Sequence, residues 1–130
     1  MRMRARPGFT LLEAVVALTI VSITAISALA AVGAELRTAE RARRALAAEA
    51  LAKYRLATVE LLSSKDAARL PDSLAKGTFA APFAEYRWTA SAAPRRNTPA
   101  MYDVTVRVAW DGGEYALDER LYRPLPAASP

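Results

Sequence analysis

The sequence predicts an α+β protein: one long helix, its first half apolar enough to cross a bilayer and its second half packed on a small antiparallel β-sheet of three to four strands. Three observations predict it. Residues 9–33 are apolar or small except for Glu13, residues 34–62 are rich in Ala, Leu, Glu, Arg and Lys and free of proline and glycine, and residues 83–122 alternate apolar with polar side chains between turn residues.

The helix comes first in the chain. Its uncharged part, Ala14 to Val32, would rise about 28 Å, close to the hydrocarbon thickness of a bilayer. A secretory signal peptide also has a basic start and an apolar middle, but its apolar region usually runs roughly 7 to 15 residues before a small-x-small cleavage site. The run here is longer, although Ala28, Ala30 and Ala31 keep that alternative open. Arginines at 37, 41, 43 and 44 outnumber those ahead of the span, so the charge rule for membrane orientation leaves topology undecided.

Beyond Gly33 strong helix formers continue, and one helix from Thr10 to Leu62 would measure about 80 Å. Ala47, Leu51, Tyr54, Thr58 and Leu61 recur at steps of four and three, a stripe that needs something to pack against. A freestanding coiled coil is the alternative, but the stripe is short and alanine-rich for one. Arg41, Arg43 and Arg44 read as a solvated helix face, with lipid headgroups or a partner's acids as the other reading.

Residues 63–82 carry the turn chemistry of Ser63, Ser64, Pro71, Asp72, Gly77 and Pro82. Strands are predicted after it. Phe83 to Ser91 would place Tyr86, Trp88 and Ala90 inward, and Tyr102, Val104, Val106, Val108 and Trp110 alternate with Asp103, Thr105 and Arg107. Asp111-Gly112-Gly113 supplies residues tolerant of positive φ for a tight hairpin, and Glu114 to Tyr122 returns with Tyr115, Leu117 and Leu121 on one face. Residues 92–100 should form an exposed loop, and 124–130 a floppy proline-rich tail.

Composition narrows the function. The chain has 130 residues, enough for one small domain beside a membrane segment. Its formal charge of +5 owes much to Arg2, Arg4 and Arg6; without that segment the balance is 15 basic against 13 acidic residues. Cysteine is absent, which removes disulfides and thiolate metal sites, and histidine is absent, which removes the commonest general base and metal ligand. No GxSxG, P-loop or GxGxxG pattern occurs. An enzyme, a cofactor and a catalytic residue are therefore not expected. Asp111, Glu114, Asp118 and Glu119 lack the spacing of a calcium loop, so no metal is expected either. Arg95 and Arg96 with Trp88 read as an ordinary loop rather than a nucleic-acid contact, and nothing points to a small-molecule substrate.

The segment Gly8-Phe9-Thr10-Leu11-Leu12-Glu13, after a short basic leader and opening a long apolar helix, resembles the prepilin motif of type IV pilins and type II secretion pseudopilins. The resemblance implies a leader of residues 1–8, cleavage between Gly8 and Phe9 by a membrane-embedded prepilin peptidase, N-methylation of Phe9, and an assembly role for Glu13. A carboxylate at the edge of a bilayer is costly unless paired. In the family the glutamate meets the new amino terminus of a neighbour, so docking removes two unpaired charges together. Thr10-x-x-Glu13 is also a capping box, and the two roles are compatible. Thr19, Ser22, Thr24 and Ser27 among alanines are compatible with close helix approach.

The opening FTLLEAVVAL, the stretch LAAEALAKYRLATVELL and the ending EYALDERLYRP are similar to the minor pseudopilin I of type II secretion. This implies a single-pass inner-membrane protein of a Gram-negative bacterium, with 9–33 as the transmembrane half of the helix, 34–63 as its periplasmic half and 64–123 as a periplasmic sheet region. Its role would be a subunit at the pseudopilus tip that helps export folded proteins across the outer membrane. Its partners would be the minor pseudopilins J and K, the major pseudopilin, the prepilin peptidase and the inner-membrane assembly platform. A minor pilin of a type IV pilus or competence system, and an anchored periplasmic binding domain, are the alternatives.

Overall fold

In the computed structural model, residues 8–62 and 69–124 are described. Residues 1–7 of the expected leader, residues 63–68 of the stretch read as turns, and residues 125–130 of the expected tail lie outside them. The chain forms two compact units, Met1–Arg41 and Ala42–Pro130.

Helix α1 runs Leu11–Glu60 and supplies both units. Within Met1–Arg41 it is a single helix with its large apolar side chains exposed, Leu11, Leu18, Ile26 and Leu29 among them. Its end agrees with the sequence reading to within two residues. The last turn tightens, with the Leu61 and Leu62 amides donating to the carbonyls of Thr58 and Val59 at 3.3 and 3.0 Å.

The second unit is an antiparallel sheet covered on one face by the end of α1. A short helix α2 (Asp72–Ala75) leads into β1 (Lys76–Thr78), followed by β2 (Arg87–Pro94), β3 (Met101–Trp110) and β4 (Gly113–Tyr122), in the spatial order β1-β2-β3-β4. The alternation in β3 buries Tyr102, Val104, Val106 and Val108. In register beside Val106 stand Ala90 on one strand and Leu117 on the other. Against this face α1 lays Ala48, Ala52, Leu56 and Val59, and the two alanines are fully buried.

That helix stripe differs from the one the sequence indicates. Ala47 and Leu51 are half-buried at its margin, but Tyr54 and Leu61 are 65% and 87% exposed. The reason is steric: small alanines let the helix approach the sheet closely, so the contact centres on residues that carry little apolar side chain to read. The opposite face presents Leu46, Ala50, Tyr54, Ala57 and Leu61.

The sheet edges also differ from expectation. The strand predicted from Phe83 starts at Arg87, because consecutive turns occupy the preceding residues: Phe83 N–H donates to Ala80 O at 2.9 Å and Tyr86 N–H to Phe83 O at 3.0 Å. Tyr86 still packs inward, 3% exposed. At its other end β2 runs on through Ala92 to Pro94, so the exposed loop begins at Arg95. Proline is tolerated there because, among the described residues, β1 pairs only with 87–89 and leaves the rest of that edge of β2 without a partner strand. The fourth strand and α2 fall in the stretch read as turns; three residues are too few to show an alternation.

Two glycines of the sheet have distinct reasons. Gly112 takes φ +95° in the Asp111-Gly112 turn, as the hairpin predicts. Gly113 does not use that freedom; a Cβ there would collide with the Trp110 indole across the turn, and a Cβ at Gly77 would collide with Trp88 in the same way.

Trp88 is held on several sides. Phe79 packs at 4.7 Å between ring centroids, and the Arg55 guanidinium lies 3.8 Å over the indole. Burial lowers the pKa of Arg55 from its ordinary value. On the exposed side of the helix, Lys53 donates to Glu49 at 2.7 Å; that hydrogen bond, then the carboxylate's charge, raises the lysine pKa. The outer face of the sheet is polar, with Thr105 donating to Asp118 at 2.6 Å and Arg107 lying 3.5 Å from Glu114.

Candidate assembly site at the start of the helix

Gly8, Phe9 and Thr10 precede α1 without helical structure and are exposed, Phe9 to 79%. Gly8 has no heavy atom within 4 Å of where a Cβ would stand. The bond between Gly8 and Phe9 is therefore open on the described side, in the non-helical backbone that an endopeptidase requires.

Thr10 sets the start of the helix. Its carbonyl accepts from Ala14 N–H at 3.1 Å, and its hydroxyl oxygen accepts from the backbone N–H of Glu13 at 3.2 Å. This is an N-cap bond, which satisfies one of the amides that a helix start leaves free. The capping box is made by half: Glu13 contributes its backbone, while among the described residues its carboxylate neither accepts a hydrogen bond nor pairs with a cation. Cap and carboxylate are thus separable, and the side chain remains available.

The surroundings are apolar. Leu11, Leu12, Val15 and Val16 stand exposed around Glu13. Further along, the hydroxyls of Thr19, Ser22, Thr24 and Ser27 each donate to the carbonyl four residues earlier, at 2.8, 2.8, 2.8 and 2.9 Å. The four polar groups of the span are thereby satisfied within the helix itself, which suits a medium without water. The sequence placed these residues but gave no sign of this bonding.

Among the described residues this is one helix long and apolar enough to cross a membrane, with its apolar window unburied. It supports anchoring by a single span. Downstream, Arg41 and Arg43 are exposed and Arg44 is half-buried.

The other residues considered from the sequence do not converge. Arg95 and Arg96 lie in the loop after β2, while Trp88 sits near the start of that strand under Arg55. Asp111 is in the hairpin turn, and no group of three potential metal ligands occurs among the described residues.

The model of the prokaryotic N-terminal methylation motif matches residues 3–32, which contain Gly8, Phe9, Glu13 and most of the apolar run. No curated protein and no solved structure matches the chain. The methylation motif, opening a long helix that packs on a four-stranded antiparallel sheet, supports a type IV pilin-like protein of pili or secretion systems.

Proposed function

We propose that this chain is a minor pseudopilin, a structural subunit of the tip of a type II secretion pseudopilus, and not an enzyme. The observation that carries the reading is the Glu13 carboxylate, without a partner among the described residues and set in an apolar segment one turn from an exposed Gly8–Phe9 bond. Cleavage there leaves a cationic amine on Phe9 in the same apolar layer as the carboxylate. Both charges are costly in lipid alone, and each removes the other's penalty when two subunits dock in register.

On this reading the prepilin peptidase cuts after Gly8 and methylates Phe9. The apolar helix holds the subunit in the inner membrane with the sheet in the periplasm. The minor pseudopilins J and K, the major pseudopilin and the inner-membrane assembly platform are its partners. The similarity of the LAAEALAKYRLATVELL and EYALDERLYRP stretches to pseudopilin I supports this choice over a minor pilin of a type IV pilus.

The test is the intact mass of the protein from membranes of cells with and without the prepilin peptidase. The expected mature form lacks Met1 to Gly8 and carries one added methyl on Phe9 only when the peptidase is present. A leader retained in both strains, or a cut after the apolar run, overturns the reading. Given correct processing, co-purification with J- and K-type subunits decides between secretion and pilus systems.

A further inference from the structure

The outer face of the sheet, away from α1, sorts its charges. Lys76, Thr78, Arg87, Thr89 and Arg107 are exposed on that side, in alternation with inward neighbours such as Gly77, Trp88 and Val108. At one end of the face Asp103 and Asp118 stand with Arg120, which lies 4.0 Å from Asp103. At the other end three cations stand with one acid, Glu114, which lies 3.5 Å from Arg107.

Strand register brings the three cations together. Lys76, Thr89 and Arg107 form one row across β1, β2 and β3, and Thr78, Arg87 and Ala109 form the next, which Glu114 extends on β4. Arg87 is therefore the diagonal neighbour of both Lys76 and Arg107, about 7 to 8 Å from each and within reach of long side chains. Lys76 and Arg107 stand two strands apart, at about 10 Å. Thr89 between them and Ala109 beside Arg87 are too short to fill the space above, which leaves an open cavity of about 370 Å³.

The lining of this cavity selects an anion. Among the described residues Lys76 and Arg87 pair with no carboxylate. The hydroxyls of Thr78 and Thr89 line the same space, so every polar side chain there except Glu114 can donate a hydrogen bond. Three cations against one carboxylate leave a charge of +2, and like charges so close disfavour one another. A phosphate monoester offsets them: it carries a charge near −2 at neutral pH and three terminal acceptor oxygens, and a guanidinium binds two of those oxygens at once. The volume leaves room for the organic group that the ester carries.

We propose that this corner of the outer face binds a phosphate monoester, with Arg87 at the centre and Lys76 and Arg107 on either side. The three residues come from separate strands and meet only through register, so no linear motif announces them. The inference goes beyond the pseudopilin reading and does not depend on it.

The test uses the full-length chain in phosphatidylcholine nanodiscs, titrated with glycerol 3-phosphate at fixed ionic strength and followed by calorimetry. Saturable binding of one ligand per chain is expected. Arg87→Gln and Lys76→Gln should each weaken it about tenfold, the loss of one charge-assisted hydrogen bond, while Arg95→Gln, in the loop after β2, should leave it unchanged. Nanodiscs containing phosphatidic acid distinguish the source of the ester. A fall in apparent affinity beyond that caused by an equal share of phosphatidylglycerol means that a lipid headgroup occupies the site, and no such fall means that the ester is a soluble one. Absence of saturable binding overturns the proposal. So does equal binding by wild type and Arg87→Gln with unchanged thermal unfolding; where Arg87→Gln alters unfolding, Lys76→Gln decides by the same criterion.

Discussion

The Trp88 indole occupies the space that a side chain on Gly77, its cross-strand partner, would need. The same arrangement joins Trp110 and Gly113 at the hairpin. The two differ in what holds the ring: Trp88 has Phe79 beside it and Arg55 over it, whereas the ring contact of Trp110 is Tyr86 at 5.9 Å. Gly77→Ala should therefore cost about 1–3 kcal/mol, the range of overpacking, and Gly113→Ala less. Thermal unfolding of the detergent-solubilised chain measures both. In a Trp88→Leu background the cost of Gly77→Ala should fall, since contacting residues couple.

The helix–sheet contact makes a prediction with an internal control. Ala52 is fully buried against the sheet, and Ala57 lies exposed on the opposite side of the helix. Ala52→Leu should destabilise by about 1–3 kcal/mol, while Ala57→Leu should stay within about 0.5 kcal/mol. If the sequence-derived stripe through Tyr54 and Leu61 were the packed one, Tyr54→Ala would be the more damaging change. The expected result is that Ala52→Leu is worse than Tyr54→Ala.

Arg55 should matter through packing as well as charge. Its guanidinium carbon lies 3.8 Å over the Trp88 ring and covers it. Arg55→Ala should cost about 1 kcal/mol and shift the tryptophan emission to the red as the ring gains solvent. Arg55→Lys keeps the charge but replaces the broad guanidinium by a compact, strongly hydrated ammonium, so it should recover only part of the stability.

At the start of α1, cap and carboxylate can be varied independently. Thr10 bonds the backbone of Glu13, so Glu13→Gln should leave the helix signal in circular dichroism unchanged while incorporation of the subunit into filaments is lost. Thr10→Val removes the hydroxyl that receives the bond. It should fray the first turn, at about 1 kcal/mol, with only partial loss of incorporation. Quantifying sheared filaments beside membrane-bound subunit reads out both variants. Equal assembly by Glu13→Gln and wild type would remove the charge-pairing role.

At alkaline pH the Lys53–Glu49 pair has a defined sign. The folded lysine pKa is raised above 10.5, chiefly by the hydrogen bond to Glu49. Its contribution to stability is fully present below about 10.4, the unfolded value, and is lost as pH rises through the folded value. Because the pair is exposed, the effect is small. Glu49→Gln should flatten that part of the stability profile, as followed by thermal unfolding between pH 9 and 11.

Much of this protein is set by patterns local in sequence. The apolar run and the residues that open it fix a helix of membrane-spanning length with one acid near its start, because helix length and side-chain transfer energy depend on residues a few positions apart. The alternation through β3 and the Asp111-Gly112 turn fix a hairpin and its inward face for the same reason. What tertiary structure alone decided is where unlike pieces meet. The helix packs on the alanines Ala48 and Ala52 rather than on Tyr54 and Leu61, because close approach to a sheet selects for small volume, which no periodicity of large apolar residues reveals. Gly77 and Gly113 are required by indoles on neighbouring strands, Arg55 finds Trp88 across the helix–sheet contact, and β1 forms a strand only because β2 offers it an edge. Each depends on shape complementarity between segments distant in sequence, and that exists only once the chain has folded.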